Sequence, residues 1–233
     1  MNQKMSDSES MVNPRAEFES HPWVNKFLAY KNFDDVEHVI AEVEMHTSAE
    51  IVPVIAQRSS SISHVPFCLF LIFVLLSVTL APWAAGVSGA EVWLFELLGI
   101  LLSWGLSQWL GKWPSLQRAL LSISTIDRSV AERAELEFYK SNIKSTKDST
   151  GVLIFISLLE RRVVVLADEA IAQRLPNDTW SKAVSVLVTE IKNQQLASGL
   201  EKVIRLIGET LGPLFPPSLM NPNELSNRLI LRD

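Results

Sequence analysis

The sequence predicts an α/β domain with a two-helix transmembrane hairpin inserted after its first strand. Short β-rich runs that are mostly separated by helical segments favour a layered α/β domain whose sheet is covered on at least one face. The hydrophobic residues, 48% of 233, are concentrated in one place. Between Arg58 and Lys112 there is no lysine or arginine, and the only acids are Glu91 and Glu96.

Charge and cysteine content exclude several classes of protein. The chain has 21 basic and 26 acidic side chains, a formal net charge of −5, which argues against a nucleic-acid partner. Its single cysteine, Cys68, cannot form an internal disulfide and falls in an apolar run, where it is expected to be a packing residue.

The two apolar runs have the length of membrane spans. Residues 66–85 carry no charge, and residues 92–111 are interrupted only by Glu96 and Gln108. A helix needs about 20 apolar residues to cross the bilayer core. The alternative, a helical hairpin buried in a soluble core, leaves too few residues outside it to cover two such helices. The sequence therefore predicts a transmembrane hairpin over residues 65–111.

Small residues predict how the two spans pack. They recur at every fourth position on one face of the second span and allow the helix backbones to approach closely. They are Gly99, Ser103, Ser107 and Gly111, and the first span presents Ser77, Ala81 and Ala85. Tryptophans at both ends of the hairpin are typical of membrane interfaces. These are Trp83 and Trp93 beside the connecting loop, and Trp109 and Trp113 at the opposite end.

Flanking charge predicts the orientation of the hairpin. The connecting loop has no lysine or arginine, whereas cationic residues lie on both outer flanks: Arg58, Lys112, Arg118 and Arg128. The positive-inside rule then leaves both termini in the cytoplasm. The first 20 residues are polar and lack the apolar core of a signal peptide.

The hairpin divides the predicted domain into two parts. Residues 1–31 are polar and expected to be disordered, and residues 216–233 are expected to form an extended tail. The domain between them comprises residues 32–64 and residues 112–215.

Residue patterns place the elements of this domain. Helices are predicted over 33–48, capped by Asp34, over 125–143, and around Trp180 and Leu200. Strands are predicted at 50–56, 152–158 and 163–167. Pro53 inside the first strand indicates an edge position or a bulge, because proline cannot donate a ladder hydrogen bond.

Several segments resemble the TPM domain family. Residues 47–52 (TSAEIV) resemble the opening of the first TPM strand, and residues 150–154 (TGVLI) resemble a later strand. Residues 159–168 resemble the β-hairpin of the membrane-inserted branch of the family. Further matches are Leu175-Pro176, Trp180 and Gly199-Leu200, so that the resemblance covers about residues 33–215.

The resemblance implies an α/β/α sandwich of TPM type in a bacterial inner-membrane protein. Related domains occur in thylakoid proteins linked to photosystem II repair, acid phosphatase activity is attributed to the wider family, and some members resemble calcium binders. Bacterial relatives accompany LemA-type membrane proteins. This chain has Ala49 where glycine is usual, and residues 167–171 replace a glycine-rich turn. Both departures argue against a conventional ion or phosphate site.

Three carboxylates form the candidate site. Asp168 and Glu169 end one predicted strand and Glu50 begins another, and hard cations such as Ca²⁺ prefer oxygen ligands near strand ends. The alternative is that Asp168 and Glu169 are solvated loop acids that cap the next segment. Arg161 and Arg162 also have two interpretations. They contact an anion or a lipid headgroup, or they only make the turn soluble.

The sequence assigns no catalytic residue and no required cofactor. It has no glycine-rich phosphate loop, and its four histidines are not paired at metal-binding spacing. The expected function is that of an accessory protein, anchored in the lipid bilayer, whose cytoplasmic domain binds other membrane proteins. The alternative, a membrane-anchored acid phosphatase-like hydrolase, comes from the family resemblance alone.

Overall fold

A computed structural model describes residues 14–60, 65–85, 90–120, 122–176, 178–217, 225 and 227–233. The chain forms two compact units. One comprises residues 1–59 and 127–233, and the other comprises residues 60–126. The inserted segment thus forms a compact unit of its own.

The elements follow one another in an α/β order. The helices are α1 (Pro14–Ser20), α2 (Tyr30–Glu44), α3 (Val65–Ala85), α4 (Ala90–Leu110), α5 (Pro114–Leu120), α6 (Ile123–Lys140), α7 (Glu169–Ala172), α8 (Thr179–Lys192) and α9 (Leu196–Leu211). The strands are β1 (Glu50–Ala56), β2 (Gly151–Ser157), β3 (Arg162–Ala167) and β4 (Ile230–Arg232). Short 3₁₀ helices lie at Pro22–Lys26 and Ile143–Ser145.

The four strands form one mixed sheet in the order β3-β2-β1-β4. β1 is parallel to both β2 and β4, whereas β2 and β3 form an antiparallel hairpin. Parallel neighbours need a long crossover, and the connection from β1 to β2 contains the whole inserted unit and α6. The predicted α/β class is confirmed.

One face of the sheet belongs to the main hydrophobic core. It contributes side chains from alternate positions, which are Ile51, Ile55, Val152, Ile154 and Ile156. Helices α2, α8 and α9 cover them with residues that include Phe33, Ile40, Leu187, Leu200 and Ile207. The strict alternation along β1 and β2 decides which residues enter this core.

Helix α6 covers the opposite face from Asp127 onward. The strands place Val52, Val54, Leu153 and Phe155 there, all buried, and α6 contributes Val130, Ala134 and Phe138. Two ion pairs hold the helix to this face. Arg162 Nε lies 2.6 Å from Asp127 Oδ1, and Arg232 Nε lies 2.9 Å from Glu137 Oε2. Helices therefore lie on both faces of the sheet.

The N-terminal segment departs from the predicted disorder over 1–31. Residues 1–13 lie outside the described part, but from Pro14 onward the chain forms α1 and a 3₁₀ helix. Phe18, Val24 and Leu28 are buried in the main core. The prediction was wrong here because these apolar residues are spaced too irregularly to show a helical period.

Two element boundaries also differ. Helix α2 begins at Tyr30 with Ala29 as its N-cap, not at Asp34, and the ring of Tyr30 in its first turn lies 5.4 Å from that of Phe18. The tail predicted as extended contains β4, whose three residues pair with β1. So short a strand has no alternating pattern to recognise.

Pro53 lies in a central strand, but on a locally open side. Glu50 N–H donates toward β2 and Gln57 N–H donates toward β4, so amides of β1 alternate between the two neighbours. Because alternate residues of β1 face the same neighbour, the backbone nitrogen of Pro53 faces β4, as that of Gln57 does. Pairing with β4 starts only at Val54, opposite Ile230. The edge position or bulge predicted from Pro53 was therefore wrong: β1 is an inner strand, and the proline falls just before its pairing with β4 begins.

Candidate functional site

The two helices of the inserted unit pack through small residues. A Cβ atom added to Gly99 would lie 3.0 Å from Ser77 Cβ, and one added to Gly111 would lie 2.7 Å from Pro66 Cγ. Ser103 and Ser107 on the same face of α4 are buried. The predicted small-residue interface is confirmed at these positions. The side chains of Ala81 and Ala85 lie outside the described residues.

Hydroxyl groups within these helices bond to their own backbone. Ser103 Oγ donates to Gly99 O at 2.7 Å, Ser107 Oγ to Trp104 O at 2.8 Å, and Ser77 Oγ to Val74 O at 3.1 Å. Each of these three hydroxyl groups therefore has a hydrogen-bond partner without water. A polar side chain can lie in hydrocarbon only if its hydrogen bonds are satisfied in this way.

The outward surface of the unit is apolar. Large exposed side chains cover both helices: Phe67, Leu71, Ile72, Leu75, Leu76, Val78 and Leu80 on α3, and Trp93, Leu94, Phe95, Leu97, Leu98, Leu101, Leu102, Trp104 and Trp109 on α4. The stretch Trp93–Leu110 is long and apolar enough to cross a membrane, and only 11% of it is buried. A helix in a soluble core would be mostly buried. Over the described residues of α3, the apolar stretch Val65–Leu80 is shorter.

The interfacial tryptophans are described in part. Trp109 and Trp113 contact each other edge to face at 5.0 Å at one end of the unit, and Trp93 is exposed at the other. The Trp83 side chain lies outside the described residues.

The predicted carboxylate site lies at the amino end of the parallel strands. Glu50 pairs with Gly151, and Asp168 N–H donates to Gly151 O at 2.8 Å. Glu50 and Asp168 therefore share one cross-strand row and one face of the sheet, on either side of a glycine. A Cβ atom at Gly151 would collide with Ile143. Ile143 thus fills the space over the glycine between the two carboxylates.

Each carboxylate of the predicted site has a different environment. Asp168 is buried; its Oδ1 accepts from Glu169 N–H at 2.8 Å and caps α7, and its Oδ2 has no hydrogen-bond partner among the described residues. Glu169 is exposed and accepts from Gln173 at 3.2 Å. The described residues contain no group of three metal-ligating side chains. Calcium binding by Asp168, Glu169 and Glu50 stays a prediction.

Sequence reasoning missed a fourth carboxylate beside them. Glu44, at the end of α2, accepts from Ile51 N–H at 2.7 Å on the open side of β1, and its Oε2 is buried with no described partner. Burial raises the pKa of Glu44 to about 8, the hydrogen bond from Ile51 opposes this, and the charge of Glu50 adds to it. Only the chain reversal between α2 and β1 brings this side chain to the strand.

A second missed cluster lies at the carboxyl end of β1 and β2. Glu160 is 1% exposed and accepts from Ser157 Oγ at 2.5 Å. It also accepts from Ser59 N–H at 3.1 and 3.2 Å, and the Ser59 and Ser157 hydroxyls are 2.7 Å apart. The cluster joins the exit of β1 to the turn between β2 and β3. In the sequence, Glu160 looks like an ordinary turn residue beside two arginines.

A groove of about 280 Å³ lies between α2 and α9. Its lining comprises Glu42, Val43, His46, Arg205, Gly208, Glu209, Gly212 and Pro213. Arg205 donates to both oxygens of Glu42, at 3.0 and 2.8 Å, and this hydrogen bonding lowers the pKa of Glu42. The opposite charges of Arg205 and Glu42 in this groove therefore neutralise each other.

These features define a class of protein: a helix-covered mixed sheet with an apolar helical hairpin inserted between its first two strands. Residues 112–210 match the TPM domain family. The resemblance seen in the sequence is confirmed for this part of the chain.

A solved structure shows the same fold. The NMR structure of BA42 protein from the psychrophilic bacterium Bizionia argentinensis matches with a TM-score of 0.56 and 17% sequence identity. The match covers 89% of this chain and 97% of that one. At this identity the likeness concerns the fold alone. No curated protein matches the chain.

Proposed function

We propose that α3 and α4 cross a membrane as a two-span anchor and that the α/β domain acts beside it as an accessory protein that binds other membrane proteins. The observation that carries this proposal is the continuous apolar surface of both helices. Burying one large aliphatic or aromatic side chain away from water is worth about 1.5–3 kcal/mol. Insertion into a bilayer would remove all of these exposed side chains from water together.

Helix length supports two spans. α3 and α4 each contain 21 residues. At about 1.5 Å per residue each helix is roughly 31 Å long, which matches a hydrocarbon core of about 30 Å. The close approach of α3 and α4 at Gly99 and Gly111 supports a hairpin whose two helices cross the membrane as a packed pair.

The flanking cations support a cytoplasmic location for both termini, and the family resemblance suggests a bacterial inner membrane as the location. The family resemblance suggests partners of LemA type. These partners remain part of the proposal.

Single-cysteine labelling tests the two-span topology. In a Cys68→Ser background, Lys31→Cys reports the side of the segment before the hairpin and Lys182→Cys reports the segment after it. A membrane-impermeant maleimide should label neither in intact spheroplasts and both after permeabilisation. Labelling of only one residue in intact cells would show a single span. Release of the protein by alkaline carbonate would contradict any span.

Capture from solubilised membranes tests the accessory role. We expect the tagged chain to retain a membrane-protein partner, and the Asp168→Ala variant to retain it equally. Phosphomonoester hydrolysis by the purified chain, abolished in Asp168→Ala, would instead establish the hydrolase alternative.

A further inference from the structure

Two of the arginines whose side chains the structure describes have no partner among the described residues. Among arginines whose side chains the structure describes, those with partners are Arg128, Arg133, Arg162, Arg174, Arg205, Arg228 and Arg232. Within the same described residues, Arg58 and Arg161 are exposed and their guanidinium groups have neither an ion pair nor a hydrogen bond. Unpaired guanidinium groups are available for a ligand.

Both unpaired arginines lie at the same end of the sheet. Leu159 N–H donates to Gln57 O at 3.0 Å, and Ser59 N–H donates to the Glu160 carboxylate. These bonds join the segment that carries Arg58 to the turn that carries Arg161. We call Arg58 and Arg161 with this turn the arginine edge.

The acids near the arginine edge have other partners. Asp233 follows β4 at this end of the sheet and accepts from Trp23 Nε1 at 2.9 Å. Glu160 is buried and directs its oxygens to Ser59 and Ser157. Asp127 is paired with Arg162. None of these three acids forms an ion pair with Arg58 or Arg161, and both guanidinium groups are exposed.

Chain connectivity limits the distance between Arg58 and the first residue of the proposed anchor. Six residues lead from Ser59 to Val65, the first residue of α3. At about 3.3–3.6 Å per residue they span at most about 22 Å. If α3 enters a bilayer, the arginine edge lies within reach of the lipid surface.

We propose that Arg58 and Arg161 bind the phosphate groups of anionic lipids and dock the domain on the membrane. This inference rests on the proposed function. A guanidinium group can donate two parallel hydrogen bonds to a phosphate, which makes arginine well suited to this contact. The cytoplasmic leaflet attracts such cations by its negative surface potential.

Hydrogen exchange of the full chain in nanodiscs tests the docking. The discs contain phosphatidylcholine alone or mixed with phosphatidylglycerol, and exchange is followed at residues 57–60 and 158–162. Exchange should slow in the anionic discs, and high salt should reverse the effect. In the double variant Arg58→Gln/Arg161→Gln the ratio of docked to undocked domain should fall roughly thirtyfold.

A matched variant separates this edge from general charge effects. Lys144→Gln/Lys147→Gln also removes two positive charges, but these residues precede β2, at the opposite end of the sheet. It should keep the lipid-dependent protection. Equal loss in both double variants would overturn the specific role of the arginine edge.

Three further outcomes separate lipid phosphate from free phosphate, and failure of the docking from failure of the anchor. If inorganic phosphate alone slows exchange in neutral discs, the site binds free phosphate and the lipid proposal is overturned. If the chain stays in the discs but exchanges equally in both lipids, docking is overturned while the anchor stands. A chain that does not remain in either disc contradicts the anchor itself.

Discussion

The two units of this chain arrange the same kinds of side chain in opposite ways. In the α/β unit, large apolar residues such as Leu153 are fully buried, whereas in the inserted unit Leu102 is 65% exposed. Conversely, Ser103 and Ser107 lie buried between the inserted helices. The same amino acids are therefore packed inward in one unit and outward in the other, as the proposed membrane anchor requires.

The units also satisfy their polar groups differently. Ser103 and Ser107 bond to carbonyl groups within one helical turn. In the α/β unit, Glu160 accepts from Ser59, 101 residues away, and Glu44 accepts from Ile51 of the next element. Local bonds keep each helix independent of its surroundings, whereas long-range bonds fix one element against another.

The largest expected effect comes from the same truncation in each unit. Leu153→Ala should lower the free energy of unfolding by about 4 kcal/mol, because it leaves a cavity in a closed core. Leu102→Ala should change it by less than about 1 kcal/mol in nanodiscs, because lipid fills the space. Urea denaturation followed by circular dichroism measures both. Equal losses in the free energy of unfolding would contradict the opposite arrangement of apolar side chains in the two units.

Removal of the Glu160 carboxylate should cost about 3 kcal/mol. Glu160→Ala leaves Ser59 N–H and the Ser157 hydroxyl buried without this acceptor. Glu132→Ala removes a carboxylate from an exposed i,i+4 pair with Arg128 and should cost less than about 1 kcal/mol. The same denaturation experiment compares the two, and a Glu160→Ala variant as stable as Glu132→Ala would show that the cluster is not structural.

Glu44 should make the stability depend on pH. Its pKa is raised from 4.5 to about 8, so the folded state holds a proton that the unfolded state releases. Stability is then fully present below pH 4.5 and is lost as the pH rises toward 8, by roughly 2–3 kcal/mol between about pH 5 and pH 7. Glu44→Gln should remove this slope. A wild-type profile as flat as that of the variant would refute a protonated Glu44.

The smallest expected effect concerns packing of the inserted helices. Gly99→Leu should weaken their association by about 2 kcal/mol, because its Cβ meets Ser77. Gly105→Leu is the matched control, since nothing lies within 4 Å of a Cβ atom there. Steric trapping in bilayers measures both variants. Equal effects would mean that Gly99 does not lie in the helix interface in a membrane.

The sequence predicts those parts of the fold that depend on local periodicity. The helical periodicity of the apolar residues in α9 and the β-rich segments of β1, β2 and β3 are recognisable in the sequence alone. Phe18, Val24 and Leu28 did not, because each fills a separate gap in the core instead of forming a stripe. β4 was missed for a related reason: its strand character comes from pairing with β1.

The candidate sites were less predictable because they depend on contacts between distant segments. Asp168 and Glu50 were recognised, since acids at the ends of apolar strands are conspicuous. Their separation by Ile143 depends on a 3₁₀ helix packed over Gly151, and no pattern in the sequence indicates this contact. Glu160 becomes distinctive only when Ser59 and Ser157 are brought to it.

The half-open side of β1 has a consequence for aggregation. Exposed strand edges recruit strands of other chains when their N–H groups are free. Along this edge Ala49 N–H donates to Thr47, Ile51 N–H donates to Glu44, and Pro53 has no N–H. A foreign strand would find no donor there and could form at most half of its ladder. Since every residue of β1 is also buried, the proline and the two caps leave this half of the strand without an N–H group for a further strand to pair with.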